Sequence, residues 1–209
     1  RRCTLSVTAD SETTVRGLAA AMQRAGQTLP VLVEFDSGAK RCGVQTPDEA
    51  AGLARLIADS EGLRYGGLMT YPSSTRAAEF AQATVAQLAA SGIATERVSG
   101  GGTPQMWQAH TFPGITEHRA GMYIFGDRYT INSGALTLDT CAFSVHVTVV
   151  SRPTAERGIV DGGSKTFSSD LLGQEGYGLI LEYPEARITG LSEEHGTVDF
   201  SACAQRPAV

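Results

Sequence analysis

Apolar and polar positions alternate along the first 130 residues in two recurring patterns. Short runs dense in apolar and β-branched residues return at intervals of about 25–35 residues, with stretches of helical periodicity between them. The pattern predicts strands at Cys3–Thr8, Val31–Phe35, Leu63–Tyr71, Ala94–Val98 and Gly121–Phe125. Val31–Phe35 is nearly continuous in apolar character, as parallel strands buried on both faces are. Helices are predicted from Ser11 to Ala25, closed by Gly26, and from Ser74 to about Ser91, closed by Gly92. A third begins at Thr46-Pro47-Asp48-Glu49, where threonine reads as N-cap, proline as the first helical residue and glutamate as the return arm of a capping box. Leu53, Leu56 and Ile57 form its buried stripe, and a short amphipathic turn is expected around Gln105–His110.

Beyond about Ser133 the pattern changes. Cys141–Val150 alternates and is rich in valine, and Gly158–Asp161, Tyr177–Leu181, Ala186–Leu191 and Thr197–Phe200 are further short β-runs between Gly, Pro, Asp and Ser turns. Residues 1–132 therefore read as βα units of a (β/α)8 barrel or a doubly wound sheet, and residues 133–209 as an all-β domain. Both ends look cut, so the expected fold class is α/β with each part incomplete.

The 209 residues are 42% hydrophobic and 19% charged, with a net charge of −5. No basic run is present, which argues against nucleic acid as partner. No apolar stretch approaches the roughly 20 residues needed to span a bilayer, and Arg1-Arg2-Cys3-Thr4 does not read as a signal segment. Cys3, Cys42, Cys141 and Cys203 are scattered singly, which fits reduced thiols and a cytoplasmic location. Only two of the 17 basic Lys and Arg residues are lysines, Lys40 and Lys165. Chemistry that needs a lysine amine must use one of these or lie outside the chain.

Val98-Ser99-Gly100-Gly101-Gly102-Thr103-Pro104 is the most informative stretch. Three glycines after an expected strand allow positive φ and close approach of a ligand to backbone amides, and Ser99 and Thr103 offer hydroxyls. Alone, a triple glycine reads more readily as a flexible turn, so context decides. In a parallel barrel the functional groups lie at the carboxyl ends of strands. Here those ends are Asp36 to Arg41, Tyr71, Ser99 to Thr103 and the stretch from Arg119 to Tyr123. Two arginines, a tyrosine and a glycine cradle suit an aromatic, phosphorylated, anionic cofactor. Pyridoxal phosphate fits this set. A nicotinamide dinucleotide fits less well, because no GxGxxG opens a helix after a strand.

Val33-Glu34-Phe35-Asp36-Ser37-Gly38-Ala39-Lys40-Arg41-Cys42-Gly43-Val44 resembles a block of the D-threonine aldolase and D-serine dehydratase family. These are metal-activated pyridoxal phosphate enzymes related to alanine racemase. Gly67 to Tyr71, Val98 to Pro104, Glu117 to Tyr123, Val160 to Lys165 and Ser192 to Gly196 match further blocks in the same order, over nearly the whole chain. The resemblance implies a pyridoxal-binding barrel followed by a β-domain. It implies that Arg41 contacts the cofactor's phenolic oxygen and that Tyr71 lies beside the pyridine ring. Phosphate contacts are implied for Gly101, Gly102 and Thr103, helped by backbone around Gly121 and Met122, and Ser99, Gly100 and Tyr123 complete the expected cofactor-binding set. Arg119 falls where alanine racemases place the arginine facing the ring nitrogen. The family's Schiff-base lysine is expected upstream of Arg1, and its divalent metal pair beyond Val209.

The expected activity is that of a lyase on small D-β-hydroxy amino acids, cleaving Cα–Cβ as D-threonine aldolases do. Dehydration of D-serine type, racemisation and a non-catalytic pyridoxal phosphate carrier are the alternatives. A homodimer with no membrane partner is expected, and the fragment alone is expected to be inactive. Simpler roles stand beside these: Arg41 paired with Asp36 or Glu34, Lys40 and Lys165 as turn lysines, and Trp107 as a packing residue. His195 is a candidate active-site residue and equally a surface turn, while His110, His118 and His146 lack ligand-like spacing.

Overall fold

Short cap residues decide where each helix of the first unit begins. In the computed structural model, which describes residues 3–209, α1 spans Glu12–Ala25 with Ser11 accepting from the Thr14 amide, and Gly26 closes it at φ 58°. Helix α2, Pro47–Asp59, carries the complete capping box: Thr46 Oγ1 accepts from the Glu49 amide at 3.2 Å, and Glu49 accepts from the Thr46 amide at 3.0 Å. Helix α3, Thr75–Ala90, starts at Ser74 in the same manner. Arg1 and Arg2, which open the stretch read as no signal segment, lie outside the described residues.

Five parallel strands lie in sequence order: β1 Val7–Ala9, β2 Leu29–Asp36, β3 Leu63–Tyr71, β4 Val98–Gly101 and β5 Glu117–Arg119. Among the described residues this sheet is open. Val31, Val33 and Phe35 of β2, Leu68 of β3 and Val98 of β4 form one buried cluster with Val15, Leu53, Ile57, Phe80 and Leu88 from the helices. Phe35 stacks on Phe80 with ring centroids 4.3 Å apart. The alternate positions Glu34, Met69, Ser99 and Glu117 pair across β2 to β5 in one row, so the opposite face of the sheet is polar.

Three expected strands shift. Cys3–Thr8 becomes strand only from Val7, which pairs with Val31; the preceding partner, Pro30, has no amide to donate. The strand expected at Ala94–Val98 lies instead at Val98–Gly101. Ser99, Gly100 and Gly101 thus belong to the strand, opposite Glu117, His118 and Arg119, and do not form a loop after it. The strand expected at Gly121–Phe125 is Glu117–Arg119, and Met122–Ile124 forms a single 3-10 turn. A 3-10 helix, Thr103–Thr111, replaces the short turn around Gln105–His110. No described helix is long and apolar enough to cross a membrane.

The chain divides at Gly121, and the second unit, Met122–Val209, has its own core. After a short helix α4, Arg128–Asn132, come β6 Val149–Ser151, β7 Arg157–Val160, β8 Arg187–Leu191 and β9 Gly196–Asp199. They form an antiparallel sheet in the order β6-β7-β9-β8 around Val160, Ile188, Val198 and Phe200. The long strand expected at Cys141–Val150 survives only at its end, because its partner β7 offers four residues to pair with. Tyr177–Leu181 is not a strand. It is held as a loop by the Tyr177 amide on the Ile188 carbonyl and by the Arg128 guanidinium on the carbonyls of Glu175, Gly176 and Gly178.

Candidate functional site

The carboxyl ends of β2, β3 and β4 carry most of the residues singled out in the sequence. After β2 the chain makes a closed loop that returns to its own strand. The Val44 amide donates to Glu34 O at 3.0 Å and the Asp36 amide to Val44 O at 3.0 Å. Gly43 permits this return: at φ 105° an added Cβ would lie 2.5 Å from the Phe35 carbonyl carbon. Within the loop, Asp36 Oδ1 accepts from the amides of Gly38 at 2.8 Å and Lys40 at 3.1 Å. These two donors, Gly38 foremost, hold the Asp36 carboxyl below its ordinary value. Ser37 ties the loop to the end of β3 through the Pro72 carbonyl at 2.6 Å.

So held, the loop presents Arg41 above the ring of Tyr71, with the guanidinium carbon 5.4 Å from the ring centroid. Arg41 also lies 4.0 Å from Glu34 Oε1, the pairing foreseen as a simpler role. Glu34 does more than pair. It accepts from the Cys42 thiol at 2.9 Å and from Thr8 Oγ1 at 3.3 Å. The bond to Glu34 pushes the Cys42 thiol up. Asp36 makes no ion pair with Arg41 among the described residues.

At the end of β4 the three glycines differ in what they permit. Gly100 faces Ser73 so closely that a Cβ would collide with its hydroxyl. Gly101 packs against β5, its Cβ position 3.1 Å from the Arg119 carbonyl oxygen. Positive φ, foreseen for the cradle in general, falls on Gly102 alone among the three, at 115°. Its Cβ position meets the amide of Gln105 and lies 3.4 Å from Tyr71 Cε2, so Tyr71 and Gln105 flank it directly. The Gly102 amide donates to Arg119 O at 3.1 Å. Next to it, Thr103 Oγ1 and Gln105 Oε1 are buried and lack a hydrogen-bond partner.

Ser99 and Arg119 form a second group on the polar face of the sheet. The Ser99 hydroxyl donates to Glu117 Oε1 at 2.5 Å and receives the Arg119 guanidinium. Arg119 donates as well to Thr70 O at 2.9 Å and Met69 Sδ at 3.1 Å. Burial pushes its guanidinium down from the ordinary value while leaving it cationic. The Ser99 hydroxyl is thus engaged in the sheet, whereas that of Thr103 is open. Gly121 ends the first unit, exposed, and Met122 and Tyr123 open the second on the exposed 3-10 turn.

Other candidates are placed apart from this edge. His195 sits in the exposed turn between β8 and β9, where its carbonyl accepts from the Ser192 amide. Lys165 pairs with Glu194 at 2.5 Å and Glu193 at 3.4 Å, as a turn lysine. Lys40 is exposed at φ 53°. Trp107 is 65% exposed, and His146 lies outside any strand. Gln105, Ser73 and His118 were not foreseen as site residues, and Glu34 only as a partner for Arg41. A carboxylate near the end of the apolar run Leu29–Phe35 was the one local signal among them.

An anionic aromatic group with a phosphate tail fits these residues. The cationic Arg41 and the Tyr71 ring offer charge and a face, and the open Thr103 hydroxyl and Gln105 amide lack the partners such a group brings. A metal does not find a site: no group of three or more His, Cys, Asp or Glu side chains among the described residues is placed to hold one.

The family model "Alanine racemase, N-terminal domain" matches residues 1–129, and the "Putative serine dehydratase domain" matches residues 142–209. A D-threonine aldolase from Arthrobacter sp is 32% identical over 97% of this chain and 57% of its own length. The D-threo-3-hydroxyaspartate dehydratase of Delftia sp. (strain HT23) is 31% identical over 94% of this chain and 58% of its own. The crystal structure of D-threonine aldolase from Filomicrobium marinum superposes with a TM-score of 0.80 at 28% identity, covering 100% of this chain and 60% of that one. The chain therefore spans less than two thirds of the length of these three relatives. A parallel βα unit followed by an antiparallel β unit is the order these matches share, and the chain belongs to the alanine racemase N-terminal domain family.

Proposed function

We propose that the full-length protein is a pyridoxal phosphate-dependent lyase that cleaves the Cα–Cβ bond of D-β-hydroxy amino acids to glycine and an aldehyde. The observation that carries the reading is the contiguous run Arg41–Tyr71–Gly102 at the carboxyl edge of the sheet, beside the buried, unpartnered Thr103 hydroxyl. The two aldolase and dehydratase relatives support the substrate class.

In this reading Thr103 Oγ1 donates to a phosphate oxygen, and Gly102 lets that oxygen approach the backbone. Arg41 sets a fixed positive charge against the ring's anionic oxygen, and Glu34 keeps that guanidinium oriented over Tyr71. Tyr71 supplies an apolar face that excludes water from one side of the ring. Ser99, Gly100 and Gly101 keep β4 flat against β5 so that the cradle is held in register. Arg119 faces the polar side of the sheet, and Gly121, Met122 and Tyr123 supply the chain that follows it. The bound cofactor supplies an electron sink for the bonds at Cα. The free state of Cys3, Cys42, Cys141 and Cys203 supports a reducing, cytoplasmic setting.

Dehydration is the second reading, favoured by the match of residues 142–209 to the dehydratase domain. Feeding D-threonine and D-serine separately distinguishes them. Acetaldehyde with glycine supports cleavage, keto acid with ammonia supports dehydration, and equal turnover of L-substrates overturns both.

A further inference from the structure

Three hydrogen bonds hold the carbonyls on either side of the Gly102 amide, all from residues outside β4, one of them the Gln105 amide on Gly102 O at 3.2 Å. The Ser73 amide donates to Gly101 O at 2.8 Å. His118 Nε2 lies 3.0 Å from Gly102 O. A carbonyl only accepts, so Nε2 carries the proton. Nδ1 is then free to accept from the Ser73 hydroxyl, which is 3.4 Å away and 1% exposed. Ser73 thereby grips the turn twice, once through its own amide and once through the imidazole.

A trans peptide is planar, with its C=O and N–H pointing to opposite sides. With the Gly102 carbonyl turned to His118, the Thr103 amide must face the other way. Without the imidazole only the Gln105 amide would hold that carbonyl, on a glycine at φ 115° that occupies several backbone wells at little cost. We infer that His118, oriented by Ser73, is a positioning residue that aims the Thr103 amide and hydroxyl at the cofactor's phosphate. The inference rests on the pyridoxal phosphate reading. It adds a residue whose side chain meets only protein: His118 acts through one peptide group and reaches neither substrate nor ring.

The grip concerns the phosphate alone, so the test compares pyridoxal 5′-phosphate with pyridoxal, which lacks it. Dissociation constants for both are measured on the full chain and on His118→Ala, His118→Gln and His118→Asn. The preference of the unaltered protein for the phosphorylated form is expected to fall about five- to tenfold in His118→Ala, the worth of one lost hydrogen bond. Gln places its amide nitrogen where Nε2 stands and is expected to restore the preference to within about twofold. Asn reaches only the Nδ1 position and is expected not to. A folded His118→Ala protein with an undiminished preference overturns the inference. So does a His118→Gln protein that loses as much as His118→Asn, a comparison that stands even where the alanine variant fails to fold. An unaltered protein with no preference for the phosphorylated form overturns the cofactor reading itself, and is told apart by that control.

Discussion

The Arg41 guanidinium stands 5.4 Å from the centroid of the Tyr71 ring, joining the loop after β2 to the end of β3. Arg41 is exposed and makes little of the core, so its removal separates binding from folding. Arg41→Ala is expected to weaken pyridoxal phosphate binding by about tenfold, on the order of 1.4 kcal/mol, with the melting temperature nearly unchanged. Arg41→Lys retains charge and loses the planar fork, and is expected to fall between. A cofactor titration followed by absorbance reads both.

The cradle makes a different demand at each glycine. Gly102→Ala places a Cβ into the Gln105 amide at a backbone angle that L-residues avoid, so it is expected to cost about 1–3 kcal/mol of stability and most of the cofactor affinity. Gly101→Ala meets the Arg119 carbonyl at 3.1 Å without positive φ, and a smaller loss of both is expected. Chemical denaturation alongside the cofactor titration ranks the pair; equal effects would contradict the distinction.

Asp36 titrates below its ordinary 3.8, held there by the amides of Gly38 and Lys40. A carboxyl with a lowered folded-state pKa stabilises the fold fully above 3.8 and loses that contribution as pH falls through the lowered value. Melting temperatures recorded from pH 6 to pH 2.5 are therefore expected to drop at the acid end. Asp36→Asn is expected to flatten that drop, and an unchanged acid limb in the variant would refute the assignment.

Tyr65 behaves in the opposite sense. Burial pushes its phenol up to about 12 from 10.0, and its hydroxyl touches Thr95 Oγ1 at 3.3 Å. The neutral phenol therefore stabilises the fold fully below pH 10, and that contribution drains between pH 10 and 12. Ultraviolet titration is expected to show one late-ionising tyrosine, absent from Tyr65→Phe.

Much of the first unit was legible because its signals are local. Ser11, Thr46 with Glu49, Ser74 and Gly26 cap their own helices through neighbours within four residues, and each stands where its sequence places it. The strand at Ser99–Gly101 was not legible, since glycines carry no side-chain signal for a strand. It forms because β5 pairs with it and Ser73 and Arg119 approach too closely for anything larger. Arg41 and Tyr71 were read from a motif and do meet. Glu34, Gln105 and His118 act through residues distant in the chain, which no periodicity records. Tyr177–Leu181 read as a strand from composition, yet the Arg128 guanidinium takes up the Gly178 carbonyl and those of Glu175 and Gly176 just before it.

The short β5 strand gives Arg119 a further importance. Three residues supply few ladder bonds, so the alignment of β5 depends heavily on side chains. Arg119 reaches across β4 to the Thr70 carbonyl on β3, stitching three strands with one guanidinium. Its own carbonyl meanwhile accepts from the Gly102 amide. A slip of β5 by one residue would move that acceptor, turn Glu117 and Arg119 to the helix side and bring His118 to the polar face. The accuracy of the proposed phosphate cradle would then be set at the margin of the sheet, by a side chain serving as a ruler.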